Sequence, residues 1–292
     1  EDKETVETGT MAALKGGFTS LLAMPNTTPA IDTVANINML KKIIENTAKA
    51  NVFISASITR GRLGDEIVDV AALKNEGAVA ISDDGSSVDS EVVLTQAMQQ
   101  AAKASIPVIC HCEDKSLVKQ GVMHLGFMST ILGLRGISAE SEYKRVARDI
   151  EIAKKTNARI HIAHVSTAVS VELIAKAKKQ GVMVTAETAP HYFTLIDEDL
   201  IGYDTNLKMN PPLRTRDDRQ AIISGLKDGT LDVIASDHAP HTENEKEIEF
   251  DRAEFGVVGL ETELSAAMTE LLSKGILDWS GLVEKLSLNP SR

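Results

Sequence analysis

Seven short runs rich in valine, isoleucine and alanine recur along this chain, separated by stretches of helical spacing, and this alternation restricts the fold more than any other feature. The runs are Phe18 to Met24, Val52 to Ile58, Ala78 to Ile81, Pro107 to Cys112, Arg159 to Val165, Val182 to Ala186 and Leu231 to Ser236. Each is continuously apolar, as expected of strands buried on both faces of a parallel sheet. Between them, Ser90 to Lys103 places Val93, Leu94, Ala97, Met98, Ala101 and Ala102 on one helical stripe. Glycine ends four helical stretches just before a strand, at Lys15-Gly16-Gly17, Glu76-Gly77, Gln180-Gly181 and Asp228-Gly229, where it accepts a left-handed backbone. No composition break marks a linker, and no glycine-rich phosphate loop follows an early strand. The pattern predicts one α/β domain over residues 1–292, a (β/α) barrel rather than an open doubly wound sheet. A closed (β/α)8 TIM barrel needs eight strands. Because helix-like text already runs from Glu1 to Lys15, the remaining strand is expected upstream of Glu1, and the domain is expected to be incomplete at both ends.

Composition excludes several classes of function. The 292 residues are 43% hydrophobic, enough for a large core, and carry a formal charge of -11 with no basic tract, so nucleic-acid phosphates would be repelled. No apolar stretch reaches membrane-spanning length and no signal peptide opens the chain, which gives a cytoplasmic expectation with no membrane association. Cys110 and Cys112 are the only cysteines, and they flank a histidine in a strand-like run. They read as packed thiols in a reducing compartment, so the acceptor pattern Asn26-Thr27-Thr28 would go unused.

Polar residues that follow the carboxyl ends of parallel strands are brought to one mouth by the fold. Ala78 to Ile81 runs into Ser82-Asp83-Asp84-Gly85, Pro107 to Cys110 into His111-Cys112-Glu113-Asp114, Arg159 to Ala163 into His164-Val165-Ser166, and Leu231 to Ala235 into Ser236-Asp237-His238-Ala239-Pro240-His241. His111 and His164 read as metal ligands at strand ends. One of Asp83 and Asp84 reads as functional, although Asp-Asp-Gly also suits a turn. Glu113 and Asp114 read as supporting or helix-capping residues. His161, in mid-strand, reads as a hydrogen-bonded core residue, and His124 is left unassigned. The charged stretch Thr242 to Glu254 is expected to be a mobile loop over the mouth.

Seven motifs, in order, resemble the dihydroorotase family: Met24-Pro25-Asn26-Thr27, Asp83-Asp84-Gly85, His111-Cys112-Glu113-Asp114, His164-Val165-Ser166-Thr167, Met209-Asn210-Pro211-Pro212-Leu213-Arg214, Asp237-His238-Ala239-Pro240-His241 and Phe255-Gly256-Val257-Val258-Gly259. The resemblance spans essentially the whole chain and implies a metal-dependent hydrolase barrel with site residues at matching positions. Asp84 resembles a carboxylate bridging two metals, His111 and His164 resemble ligands of one, and Asp237 resembles a ligand of the other that also moves a proton. Asn26, Asn210 and His241 resemble substrate-binding residues, and Phe255 and Gly256 main-chain contacts. The implied reaction interconverts L-dihydroorotate and N-carbamoyl-L-aspartate, with Zn2+ as the implied cofactor, a homodimer as the implied assembly and aspartate transcarbamoylase as an implied partner.

The family's His-x-His-x-Arg motif does not occur here, nor do the flanking strands of its small β-sandwich. One metal at most, with low turnover, is therefore expected of this stretch alone. Two alternatives stand beside this reading. One is another cyclic amidohydrolase (hydantoinase, dihydropyrimidinase or allantoinase), which Asp84 disfavours because those relatives generally use a modified lysine there. The other is a non-catalytic dihydroorotase-like partner of aspartate transcarbamoylase, which should have lost its ligands generally.

Overall fold

A computed structural model describes residues 2–292 and contains nine strands, β1 (Ser20–Ala23), β2 (Asn51–Ala56), β3 (Ala78–Ser82), β4 (Val108–Cys110), β5 (Met123–His124), β6 (Gly136–Ile137), β7 (Ile160–Ile162), β8 (Val184–Thr188) and β9 (Val233–Ile234). Seven of them form one sheet in the order β1-β2-β3-β4-β7-β8-β9, and every pairing is parallel. All seven correspond to the apolar runs of the sequence. Helices cross between consecutive strands, as parallel pairing requires. Among the described residues β1 and β9 pair on one side only. The β5–β6 pair is an insertion after β4 that the sequence did not reveal, because two-residue strands carry no periodic signal.

The crossover helices form for local reasons. Ser90 caps the helix Glu91–Ala104 by accepting the Val93 amide, and Leu94, Ala97, Met98 and Ala101 of the expected stripe are buried. The four glycines that close helices, Gly17, Gly77, Gly181 and Gly229, all adopt positive φ, so the chain reverses into the next strand without straining a Cβ. The first helix spans Val6–Lys15, capped by Thr5; the predicted stretch began at Glu1, which lies outside the described residues.

Alternation along the strands divides the apolar residues into two layers. Ile54, Ile81, Val108, Ile160 and Ile162 pack with the helices in the main core, whereas Ala80, Ile109 and Ala163 form a smaller cluster with Met24 on the other face. His161 lies in register with Ile109 and Thr185. Its Nδ1 is 2.8 Å from Thr185 Oγ1 and its Nε2 is 3.0 Å from Glu187 Oε2, so it is hydrogen-bonded as expected, but half-buried rather than in the core. Cys110 and Cys112 are buried in the main core, also as expected, and Cys112 Sγ donates to Asp149. A third cluster, including Met123, Met128, Met209, Leu213 and Phe250, packs the β5–β6 insertion against the segment that carries Asn210. Among the described residues no helix is long and apolar enough to cross a membrane.

Met98 is fully buried between helix and sheet. Met98→Ala should therefore cost about 2–5 kcal/mol of unfolding free energy, read as a lower urea midpoint with an unchanged slope.

Candidate metal centre at the carboxyl rim of the sheet

Asp84 follows β3, His111 follows β4 and His164 follows β7, and their polar atoms meet at the carboxyl rim. His111 Nδ1 and His164 Nε2 are 2.7 Å apart, and each lies 3.9 Å from Asp84 Oδ1. A point about 2.1 Å from all three atoms lies at the centre of that triangle, which is the length of a zinc–nitrogen or zinc–oxygen bond. The donor set therefore fits a divalent cation. Two imidazole nitrogens this close also require one of them to carry a proton, which an incoming cation would displace. Burial pushes His111 down, and His164 beside it adds to the effect. Burial acts in the same direction on His164, but Asp237, Asp84 and Glu187 outweigh it and raise its pKa.

The backbone at this rim is strained. His164 and Asp237 adopt φ of 37° and 47°, in the left-handed region that costs a non-glycine residue about 1–3 kcal/mol. Surrounding contacts hold these turns in place. Asp83 accepts hydrogen bonds from the amides of Ile58 and Thr59 and from the Thr59 hydroxyl. It thus anchors the neighbouring loop, and Asp84 alone of the pair reaches the histidines. Ser87 Oγ donates to the His111 carbonyl and accepts the Glu113 amide. Asp114 caps the short helix after β4, the role expected of it.

Glu142 does the same for the His164 turn. It is buried on the helix Glu140–Thr156 and accepts the amides and hydroxyls of both Ser166 and Thr167. Arg214, also buried, donates to Ser166 Oγ at 3.0 Å and lies 3.5 Å from Glu142 Oε2. Its Nη1 reaches His124 Nδ1 at 3.2 Å, which gives that histidine a structural place; burial and then Arg214 depress it to about 4.

Asp237 follows β9, two strands beyond β7 in the sheet, and is not one of the three donors that meet at that position. Its carboxylate instead lies 3.7 Å from His191 Nε2. Sequence reasoning missed His191, although it stands just past β8 in Thr188-Ala189-Pro190-His191, where the rule that selected the other strand ends applied equally. Its Nε2 is buried with no hydrogen-bond partner among the described residues, and burial, then His164, pushes the ring down to about 3, so it stays neutral.

The remaining candidates fall into two groups. Asn26 Nδ2 donates to Asp84 Oδ2 at 3.1 Å, and Asn210 Nδ2 donates to Glu113 Oε2. His241 stands apart from them, its Nε2 2.7 Å from the Phe255 carbonyl and its Nδ1 3.0 Å from Lys3 Nζ. Glycine is obligatory at 256: its φ is 147°, and a Cβ there would lie 2.5 Å from the Ala239 carbonyl oxygen and 2.7 Å from His241 Nε2. The stretch Thr242 to Glu254, expected to be a mobile loop over the mouth, is partly helical and partly buried. Thr242 opens a short helix, Glu243–Lys246, while Lys246, Phe250 and Ala253 are buried. Its many charges suggested solvent, but Lys246 points inward and binds main-chain carbonyls, as does Lys208 from outside the segment, which no sequence pattern discloses.

Burial opposes ionisation of Glu142, yet Arg214 and the Ser166 and Ser170 hydroxyls hold its pKa below the ordinary 4.5. The stability it contributes is therefore complete above pH 4.5 and lost as pH falls through the lower folded value. Glu142→Gln should cost about 3 kcal/mol at pH 7 and leave a shallower acid loss below pH 4.5. Urea midpoints measured across pH for parent and variant check this, and parallel curves would contradict it.

A family model described as dihydro-orotase-like matches residues 1–170. The whole chain is 52% identical to a dihydroorotase of Elusimicrobium minutum and 52% identical to one of Pelotomaculum thermopropionicum, and spans 68% of each. Among solved structures, the L-hydantoinase (dihydropyrimidinase) from Arthrobacter aurescens superposes with a TM-score of 0.87 at 24% identity, over 98% of this chain and 65% of that one. A dihydropyrimidinase from Brevibacillus agri superposes with a TM-score of 0.81 at 22% identity, over 97% of this chain and 65% of that one. At those identities the structural likeness establishes the α/β barrel fold alone. Sequence likeness at about half identity over every residue goes further: this chain belongs to the dihydroorotase family.

Proposed function

We propose that this chain forms the metal-binding core of a dihydroorotase, which hydrolyses L-dihydroorotate reversibly to N-carbamoyl-L-aspartate in pyrimidine synthesis. The observation that carries this reading is the convergence of Asp84, His111 and His164 on one cation position. Zinc suits two imidazoles and a carboxylate, and those three residues would hold it. A bound cation supplies Lewis acidity, making water nucleophilic near neutral pH and polarising an amide carbonyl. A non-catalytic relative would have no reason to keep this trio together.

The protein's own groups account for the rest of the reaction. Hydrolysis forms a carbon–oxygen bond at the ring carbonyl and breaks the ring carbon–nitrogen bond, so a proton must pass from water to the departing nitrogen. Asp237 is suited to that transfer. Burial raises its carboxyl to about 6 against the opposing pull of His164, and Asp84 and Glu187 add to the rise. A group titrating there can accept and return a proton near neutral pH. Neutral His191 beside it adds no charge to the carboxylate's surroundings. Asn26, Asn210 and His241 are assigned to the substrate, and Phe255 and Gly256 would meet its ring through main-chain groups, fixing the carbonyl over the nucleophile.

Hydrolysis of L-dihydroorotate and hydantoin by the zinc-loaded protein tests the substrate. Turnover of dihydroorotate is expected, and preference for hydantoin would favour the hydantoinase alternative. Asp237→Asn should lower kcat by about 100-fold or more. His111→Ala should weaken zinc binding by at least about 100-fold, and zinc titration of the parent in buffers of differing ionisation enthalpy should show proton release. A parent that binds zinc with no proton release, or a His111→Ala protein that binds it equally well, would remove the trio from consideration.

A further inference from the structure

Lys208 and Lys246 are buried, yet among the described residues neither ammonium meets a carboxylate. Each spends its three donors on main-chain carbonyls. Lys208 Nζ donates to Phe250, Asp251 and Ala253 at 2.8, 3.2 and 2.5 Å. Lys246 Nζ donates to Lys208, Glu254 and Gly256 at 3.3, 2.9 and 2.9 Å. A chain segment that turns five carbonyls, those of Phe250, Asp251, Ala253, Glu254 and Gly256, toward two cations has few other conformations open to it. Losing Lys208 would leave three carbonyls without donors, and losing Lys246 would leave two.

The same residues couple this segment to the site. Lys208 is two positions from Asn210, its carbonyl accepts the Gly256 amide at 3.0 Å, and its Nζ lies 4.6 Å from the centre of the Phe255 ring. The Thr205 hydroxyl fixes the Lys246 carbonyl at 2.6 Å, and the Phe255 carbonyl meets His241. Burial, then the charge of Lys208, lowers Lys246 to about 8, a sign that the two ammonium groups are held together against their repulsion.

We infer that Lys208 and Lys246 are positioning residues that hold Phe255 and Gly256 ready for substrate, so that the binding segment is prepared before the ligand arrives. This rests on the dihydroorotase reading, in which Phe255 and Gly256 face the substrate ring. An ordering cost met in the free protein is absent from binding, so loss of either lysine should appear in KM rather than in the chemical step.

The test uses Lys246→Met and Lys208→Met in the zinc-loaded protein, with dihydroorotate kinetics, zinc content and amide hydrogen exchange measured together. The expected result is a KM raised about tenfold or more with kcat changed less than about threefold, unchanged zinc content, and faster exchange confined to residues 247–256. An unchanged KM in an active parent background, or a fall in kcat alone, overturns the assignment. If the methionine variants do not fold, Thr205→Val removes only the hydroxyl on the Lys246 carbonyl and should raise KM about threefold with the same local exchange signature. A folded Thr205→Val protein with parental KM and exchange also overturns it. A parent without dihydroorotate turnover would instead sink the functional reading, whatever the exchange data show.

Discussion

Parallel pairing of seven strands is the constraint on which everything else depends. Strands that run the same way present all their carboxyl ends at one rim, and each must be followed by a crossover that leaves a loop there. Asp84, His111 and His164 come from loops far apart in sequence, yet their donor atoms meet because β3, β4 and β7 are consecutive in the sheet. The order matters as much as the direction. Strand β9 lies two places further round, and Asp237 accordingly stands beside His191 after β8 rather than within the trio.

A rim of loops would be a poor support for chemistry without reinforcement from below. Here the reinforcement is polar. The buried Glu142 carboxylate meets four donors from Ser166 and Thr167 and is paired with Arg214, which in turn reaches His124. Asp83 grips the β2 loop in the same manner, which frees Asp84 for the site. These networks are costly to bury unless complete, because each unsatisfied group in a low-dielectric interior is penalised. Completed, they hold the left-handed backbone at His164 in place, and the two inward lysines apply the same solution to the Phe255 segment.

Much of this was legible before any coordinates. Continuous apolar runs identified all seven strands of the sheet, and four glycines marked helix ends that proved to have positive φ. The strand-end rule selected His111, His164 and one of Asp83 and Asp84, and it contained His191 as well had it been applied after β8. The readings of His161 as a hydrogen-bonded strand residue and of both cysteines as core thiols followed from alternation along a strand. The β5–β6 pair escaped because it is too short to show a period, and the 242–254 segment was misjudged because charge content does not reveal which way a lysine points.

What the sequence determined by itself was therefore the set of elements, their parallel sense and the residue types delivered to the rim, since apolar period and glycine placement are local properties of the chain. Only tertiary structure decided which of two adjacent aspartates meets the histidines, that Asp237 stands with His191, and that Lys208, Lys246, Glu142 and Arg214 turn inward. Those outcomes depend on distances between segments separated by tens of residues, and on whether a buried charge finds every partner it needs, neither of which is written in any single stretch of chain.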